Sequence, residues 1–375
     1  MSRKPPPAEI PNSKSQTPRK SQTSNLQKIG IRFTTWFSVP SYSGAQWPSF
    51  SIFDIEILLG IWALGFGIFQ GRNPGLAFSI MPCAKIDPAL HQAQKPPWIK
   101  VRLPSNPVFF STKALISDLR LHTVCESAQC PNRWECWSQG TATMMIAGER
   151  CTRACGFCAV TTAKPFALEE DEPRRVAEAV RRMGLKHVVI TAVARDDLKD
   201  GGANHFARTI EAIRAMDPAV IIEVLVPDFH AQEWCIQIVL QAAPDIFNHN
   251  METVERLTPA VRSRAKYRTS LDVLRKAKEL SPKVVTKSGV MLGLGEKEPE
   301  LFQTMEDLRE IGCQVLTLGQ YLRPTPRHLP VIEFIPPERF DAYGEIARAK
   351  GFEHVASGPL VRSSYHAADF HPVVR

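Results

Sequence analysis

Short apolar runs alternate with longer amphipathic stretches from residue 141 to residue 351. The runs have strand length, and the stretches repeat apolar residues at the three- or four-residue spacing of a helix. Strands joined by helices form parallel sheets, so the pattern predicts an α/β fold, a partial (βα)6 TIM-like barrel rather than a closed eight-fold one. The six strand-like segments are 141–148, 187–193, 220–226, 245–250, 283–292 and 314–320, and the helix-like segments are 172–184, 204–216, 231–243, 269–280, 299–312 and 336–351.

The loops that follow these strands carry unusual polar residues. Parallel barrels place their chemistry in the loops after the carboxyl ends of the strands, where all such loops meet at one rim. We therefore expect five loop segments to converge there: "CTRACGFC" (151–158), "RDDLKDGG" (195–202), "HNMETVE" (249–255), "GLGE" (293–296) and "QYLRPTPRH" (320–328).

The first 80 residues differ in composition from the rest of the chain. Residues 1–50 are rich in Ser, Thr, Pro and basic residues and hold one acid, Glu9, which predicts disorder. The apolar run Ile57 to Phe69 is too short to span a bilayer. Since composition changes at Met81, we interpret residues 1–80 as a disordered or non-native extension; an organelle transit peptide is the alternative.

Net charge gives weak support for nucleic-acid binding. The formal charge of the chain is +8, but residues 1–80 hold 8 Lys/Arg and 3 Asp/Glu, which leaves 8 − 5 = +3 for the remainder. We expect neither a nucleic-acid partner nor a membrane span.

Six of the nine cysteines fall between residues 125 and 158. Secreted disulfide scaffolds are short and spread their cysteines, so metal or cluster ligation in a reducing compartment fits better. The six form two trios, C-x4-C-x5-C (Cys125, Cys130, Cys136) and C-x3-C-x2-C (Cys151, Cys155, Cys158). Three thiolates leave one iron of a four-iron cluster open, whereas structural zinc wants a fourth ligand. Cluster ligation is favoured over zinc sites and over buried unliganded thiols.

Eight motifs in order resemble one family. The second trio, with Phe157 before its last cysteine, is similar to the radical S-adenosylmethionine superfamily. Within it, the chain resembles the lipoyl synthase family from about residue 95 to residue 367. The motifs are "CESAQCPNRWECW", "CTRACGFCAV", "RDDLKDGGANHF", "VPDF", "FNHNMETV", "TKSGVMLGLGE", "TLGQYLRPT" and "GPLVRSSYHA".

The resemblance gives the two trios different roles. It implies that Cys151, Cys155 and Cys158 hold a 4Fe–4S cluster that binds S-adenosylmethionine and reduces it to methionine and a 5′-deoxyadenosyl radical. The first trio would hold an auxiliary 4Fe–4S cluster, with Ser364 of the R-S-S-Y motif as its fourth ligand and with its sulfides consumed. A hydroxyl oxygen is a harder ligand than thiolate and can dissociate from iron more easily. Without the resemblance, Ser364 would be interpreted as a turn or cap residue.

The resemblance also implies a substrate and partners. Two sulfur atoms would be inserted at C6 and C8 of an octanoyl-lysine on a lipoyl carrier domain, such as the E2 subunit of a 2-oxoacid dehydrogenase or the H protein of glycine cleavage. A ferredoxin- or flavodoxin-type reductant and an iron-sulfur carrier for cluster rebuilding would assist. We expect a cytoplasmic protein, or an organellar one if residues 1–80 are a genuine transit peptide.

Eight further residues are implied as contacts of S-adenosylmethionine. They end the second, fourth and fifth strands of the repeat: Arg195, Asp197, Asn248, Asn250, Glu252, Gly293, Gly295 and Glu296. The alternatives are a solvated helix start for Arg195 and Asp197 and an ordinary turn for the glycines. His249, between two of them, is expected to be structural.

Other residues have simpler interpretations. We expect Cys235 and Cys313 to pack in the core, and Trp134 and Trp137 to screen the auxiliary site or simply to pack. Residues 323–328, with two arginines and a histidine, would face an acidic carrier or form a solvated rim. Gly156 departs from the proline common in the family, which puts the rigidity of that loop in doubt.

The expected organisation has four parts: residues 1–80, an extension with the auxiliary motif (81–140), the barrel (141–356) and a tail with the R-S-S-Y motif (357–375). A biotin synthase-like or methylthiotransferase enzyme is the nearest rival, but biotin synthases lack the upstream trio and methylthiotransferases add RNA-binding domains. A zinc-bound nucleic-acid module is a rival of another class.

Overall fold

A computed structural model of the chain describes residues 95–100, 106–262, 264–365 and residue 367. The interpretations of residues 1–80 and of Met81 as a boundary lie outside these ranges. Ten α-helices occur in the described residues: α1 Pro107–Asp118, α2 Val124–Ser127, α3 Arg133–Ser138, α4 Glu172–Met183, α5 Ala203–Met216, α6 Glu233–Gln241, α7 Thr258–Val261, α8 Tyr267–Leu280, α9 Glu298–Glu310 and α10 Pro337–Ala349. None of them is long and apolar enough to cross a membrane.

The strands of the described residues form one large sheet and one two-stranded sheet. The large sheet has the order β1-β2-β5-β6-β7-β8-β9-β10, and β3 pairs with β4. All neighbours in the large sheet are parallel except β1, which is antiparallel to β2. The strands are β1 His122–Thr123, β2 Thr143–Ile146, β3 Arg150–Cys151, β4 Thr161–Thr162, β5 His187–Ala192, β6 Ile221–Leu225, β7 Ile246–Asn248, β8 Val285–Leu292, β9 Val315–Gln320 and β10 His354–Gly358.

The six predicted strand-helix units are confirmed, and the partial barrel has two additional strands. No pairing within the described residues joins β1 to β10, so the sheet stays open. β10 continues the parallel order after the last predicted helix and spans residue 356, where the sequence analysis divided barrel from tail. Its short sequence "HVASG" has one branched apolar residue, which is too little for a strand prediction.

The core lies between the sheet and the surrounding helices. Ile190 and Ile222 of the central strands and Phe206 of α5 are fully buried. Burial of each such side chain stabilises the fold by about 2 kcal/mol. Helix ends follow local chemistry: Asn106 caps α1 by accepting the N–H of Val108, and Gly184 ends α4 in the left-handed conformation, at φ 62°. These packed layers fix the strand ends that carry the site.

Candidate active site

One cavity of about 560 Å³ brings the two cysteine trios together. Its wall includes all three cysteines of the first trio, Cys158 of the second, and Ser364 from the tail. Side chains from the barrel strands complete it, among them Asn250, Glu252, Val189, Leu225, Val290, Met291 and Tyr321. Residues more than 200 positions apart in sequence therefore face one chamber.

The second trio lies on a loop whose backbone makes three hydrogen bonds to neighbouring segments. Thr152 N donates to Ala194 O at 3.1 Å, at the end of β5. Gly156 N donates to Val261 O at 2.9 Å, and Gly156 O accepts from Leu329 N at 3.0 Å. The N–H of Gly156 is thus in use, and a proline in its place would remove that hydrogen bond. Glycine at residue 156, where the family commonly has proline, is therefore held by its backbone hydrogen bonds to Val261 and Leu329.

Arg153, inside the same loop, is held by two carboxylates. Its guanidinium donates to both oxygens of Asp196, which follows β5, and to both oxygens of Asp228, which follows β6, over 2.6–3.1 Å. Burial alone would raise the pKa of Asp228, but the hydrogen bonds and charge of Arg153 hold it well below its usual range. This buried ion triad fixes the loop between Cys151 and Cys155 to the barrel rim.

The segment that supplies Asp228 has an unusual backbone. The next three residues, Phe229, His230 and Ala231, have φ values of 44°, 52° and 52°. Left-handed conformations cost such residues about 1 kcal/mol each and persist where the surroundings impose them. The carboxylate of Asp228 accepts the N–H of His230 at 3.0 Å, and the His230 ring lies 3.1 Å from Asp196. The strained turn therefore helps to hold Arg153 in place, because it positions Asp228 and His230.

The first trio lies in two short helices beside β2. Cys125 is in α2 and Cys136 in α3, while Cys130 lies between them. Trp137 is buried, and its indole Nε1 has no hydrogen-bonding oxygen or nitrogen among the described residues, although Cys125 is its neighbour. Phe109 stacks against Trp134 and Trp137 at ring distances of 4.8 and 5.4 Å. An aromatic wall thus backs this trio.

The tail reaches the first trio from the far end of the chain. Ser364 Oγ accepts a hydrogen bond from Thr143 Oγ1 at 2.8 Å. Tyr365 OH donates to Glu135 Oε1 at 3.1 Å, and Leu360 O accepts from Asn132 Nδ2 at 2.6 Å. Both partners belong to the segment between Cys130 and Cys136, so the tail is clamped over the trio.

The thiols suit cluster ligation better than a single metal ion. All six are free, and burial raises the pKa of Cys125 to about 11 and of Cys136 and Cys158 to about 12. The N–H of Arg153 points at Cys151 Sγ at 3.4 Å, a contact that favours thiolate. No group of three His, Cys, Asp or Glu side chains in the described ranges can hold one ion. Each trio supplies three thiol groups from one short segment, which is the donor set that holds a four-iron cluster.

The residues predicted to contact S-adenosylmethionine fall into two groups. Asn250 and Glu252 line the cavity. Burial raises the pKa of Glu252, whose carboxylate accepts from Asn250 Nδ2 at 3.1 Å. A cationic ligand beside it would favour the ionised form. Asn248 lies deeper and donates to Glu223 at 2.9 Å.

The remaining predicted contacts are engaged within the protein and are not among the residues lining that cavity. Arg195 binds the Asp197 carboxylate and two backbone carbonyls. Glu296 accepts the N–H groups of Gly293 and Leu294, which closes the "GLGE" turn, and Gly295 faces Ile332. The glycines that line the cavity are Gly289 and Gly319, within strands β8 and β9.

Several simpler predictions are confirmed. Cys235 and Cys313 are buried in the core. His249 is a satisfied structural histidine: its Nδ1 donates to Val226 O at 2.9 Å, and its Nε2 lies 3.0 Å from Ser270 Oγ. The role predicted for the rim segment 323–328, facing an acidic carrier or forming a solvated rim, stays a prediction. In the structure the ring of His328 donates to Cys158 O at 3.0 Å.

Sequence reasoning missed Arg153 and Asp228 as a pair. The available signal was a basic residue between two ligand cysteines together with the "VPDF" motif. Their separation by 75 residues hides the contact.

Comparison with known proteins decides the family. Residues 145–308 match the family model described as the radical SAM superfamily. A lipoyl synthase of Rubrobacter xylanophilus is 57% identical over 273 residues, which is 73% of this chain and 85% of that protein. Lipoyl synthases of Caldanaerobacter subterraneus and Thermus thermophilus are 55% and 54% identical over 73% of this chain, and 96% and 85% of their own lengths are covered.

The chain belongs to the lipoyl synthase family. It is thus an enzyme of the radical S-adenosylmethionine type, with 4Fe–4S clusters and S-adenosylmethionine as cofactors, as the sequence predicted. Among solved structures, a methylornithine synthase is similar at a TM-score of 0.45 and 11% identity, over 69% of this chain and 85% of that one.

Proposed function

We propose that the cavity is the reaction chamber in which two sulfur atoms are inserted at C6 and C8 of a protein-bound octanoyl-lysine. Cys151, Cys155 and Cys158 hold one cluster, and Cys125, Cys130, Cys136 and Ser364 hold the other. The single observation that carries this proposal is that Ser364 and members of both trios line one cavity. When bound, the clusters supply the electron that cleaves S-adenosylmethionine and the sulfides that enter the product.

The chain's own residues orient the reactants. The Arg153 triad fixes the loop of the second trio, so that S-adenosylmethionine meets a rigid binding edge. Asn250 and Glu252 form the neighbouring wall, where a carboxylate attracts the cationic groups of that cofactor. Apolar side chains, among them Phe157, Val189 and Leu225, exclude water from the acyl chain.

Ser364 has a supporting partner. The hydroxyl of Thr143 donates to it, which fixes the orientation of the serine oxygen that would help to hold the auxiliary cluster. Tyr365 and the Asn132 contact hold the tail in place independently of that ligand. The serine can therefore act as a releasable ligand on a fixed support.

The partners follow from the proposed reaction. An octanoylated carrier domain, such as that of a 2-oxoacid dehydrogenase E2 subunit or of the glycine cleavage H protein, presents the substrate. A ferredoxin- or flavodoxin-type protein supplies electrons, and an iron-sulfur carrier rebuilds the auxiliary cluster. We propose a cytoplasmic location, or an organellar one if residues 1–80 direct import.

The test is oxygen-free reconstitution followed by reaction with an octanoyl-lysine peptide, S-adenosylmethionine and a strong reductant. The peptide mass should rise by two sulfur atoms less the hydrogens removed. Cys151→Ala should abolish formation of 5′-deoxyadenosine, while Cys235→Ala, a buried cysteine outside both trios, should not. A colourless protein with unaltered peptide mass would favour the zinc alternative.

A further inference from the structure

The interior of the barrel holds a buried polar group at the end of the cavity beside the first trio, where Val189 is paired with Thr143, the partner of Ser364. Register pairs Val189 of β5 with Glu223 of β6, and His187 lies one pleat before Val189. Since alternate residues of a strand share a face, these three side chains point the same way. His187 and Val189 both line the cavity, so this face is its inner wall.

Glu223 is the centre of this group. Its carboxylate accepts from Lys287 Nζ and from Asn248 Nδ2, each at 2.9 Å. His187 Nε2 lies 3.6 Å from the same carboxylate, too far for a hydrogen bond. Glu223 and Lys287 neutralise each other, so the cluster is polar without a net charge of its own.

His187 differs from the other members of this group in its hydrogen bonding. The side chain is 3% exposed, and within the described residues neither of its ring nitrogens has a hydrogen-bond partner. The same holds for Asn248 Oδ1. Buried polar atoms are normally satisfied by protein or by ordered water, so this end of the cavity is built to hold a hydrogen-bonding group.

The wall above His187 has the opposite character. Val189, Leu225 and Met291 line the cavity on the rim side of His187. His187 begins β5, and one pleat separates it from Val189 by about 7 Å at the rise of a strand. On the side of β5 and β6 the cavity therefore has apolar walls that end at a polar group, and an alkyl chain fits these walls but not that end.

We propose that His187, supported by Glu223 and Lys287, sets the upper length of the acyl chain that the enzyme accepts. This inference rests on the proposed function. An octanoyl chain stops short and leaves water on the ring nitrogens of His187. A longer chain displaces that water and leaves the nitrogens buried without partners, which weakens its binding.

Binding to the reconstituted holoenzyme with S-adenosylmethionine tests this, using peptides that carry octanoyl-, decanoyl- or dodecanoyl-lysine. The wild-type enzyme should bind the octanoyl peptide about tenfold more tightly than the dodecanoyl peptide. His187→Leu should bring the two affinities within about threefold, whereas His187→Gln, which keeps a polar group, should retain the preference. An unchanged preference in His187→Leu overturns the inference.

A second variant covers the case in which His187→Leu does not fold. Val189→Phe narrows the passage one pleat higher and should shift the preference from octanoyl toward hexanoyl by about tenfold. An unshifted preference overturns the inference, because the chain then does not occupy this passage. If the wild-type enzyme binds none of the acyl peptides, the proposed function fails as well; if it binds all of them equally, only the length limit fails.

Discussion

Thr143 and Ser364, 221 positions apart in sequence, are joined by a hydrogen bond of 2.8 Å between their hydroxyl groups. Thr143 opens β2 and is paired with Val189 of β5, while Ser364 belongs to the tail that follows β10. The tail thereby reaches a strand of the barrel beside Cys125. In the described residues the sheet is open because its edge strands β1 and β10 do not pair with each other. The contact ties the auxiliary site to the barrel that carries the other trio.

Ser364→Ala should separate the two half-reactions. Loss of the hydroxyl removes the proposed fourth ligand of the auxiliary cluster but leaves the loop of the second trio intact. We expect 5′-deoxyadenosine to form while the lipoyl product falls by at least about 100-fold, as for loss of a ligand or its support. Thr143→Val should lower product about tenfold. Chromatography of both products measures this.

Ser363→Ala is the matched control, since Ser363 pairs with Asn250 rather than with Thr143. Equal losses of lipoyl product in Ser363→Ala and Ser364→Ala would show that the tail acts only as packing.

Gly319→Ala should displace the tail without touching a ligand. A β-carbon at residue 319 would lie 2.1 Å from Val361 O, so the backbone before Ser364 must move. We expect lipoyl product to fall while cleavage of S-adenosylmethionine continues. Gly358→Ala is the control, because its added carbon meets Val361 at an ordinary 3.4 Å. Full activity of Gly319→Ala would argue against a seated tail.

Arg153→Lys should loosen the loop of the second trio. Lysine keeps the charge but cannot bind Asp196 and Asp228 bidentately at once. We expect the free energy of unfolding to fall by about 3 kcal/mol, the usual cost of breaking a buried ion pair, together with a broadened electron paramagnetic resonance signal of the cluster. Arg181→Ala removes an exposed arginine whose ion-pair partner in the described part of the chain is Glu178, and it should stay within about 0.5 kcal/mol of wild type. A sharp, unshifted signal in Arg153→Lys would contradict the positioning role.

His249 should make stability depend on pH. Burial, with Arg262 nearby, lowers its pKa to about 4. The unfolded chain, with a histidine pKa of about 6.5, therefore binds the proton more readily. Stability should be full above pH ~6.5 and decline as pH falls toward 4, by roughly 3 kcal/mol in all. Urea unfolding from pH 7 to pH 4.5 measures the decline, and His249→Gln should flatten it. An equal slope in both proteins would assign the effect to other groups.

The sequence predicted the parallel strands and their helices because each bears a local periodicity. Ile222, for example, stands in the apolar run of residues 220–226 and is buried in the predicted strand. It did not predict β10, whose five residues carry little periodicity, nor the antiparallel β1 of two residues. Short edge strands owe their existence to a neighbour rather than to their own sequence.

The site was predictable in part for a similar reason. Cysteine spacing is local, so both trios stood out at once. The Arg153–Asp228 pair spans 75 residues, and the unpartnered His187 depends on strand register; neither leaves a mark in a local pattern. The glycines of "GLGE" form a turn that their spacing suggests. No local pattern marks Gly319, although its missing side chain lets the tail pass.

The central claim, that each cysteine trio holds a cluster of its own, is tested most directly by counting iron and sulfide per chain after oxygen-free reconstitution of three proteins. The account predicts about eight irons in the wild-type enzyme and about four in each of two triple variants, one with alanine at Cys125, Cys130 and Cys136 and one with alanine at Cys151, Cys155 and Cys158. About four irons in the wild-type enzyme, or loss of all iron in both variants, would contradict it.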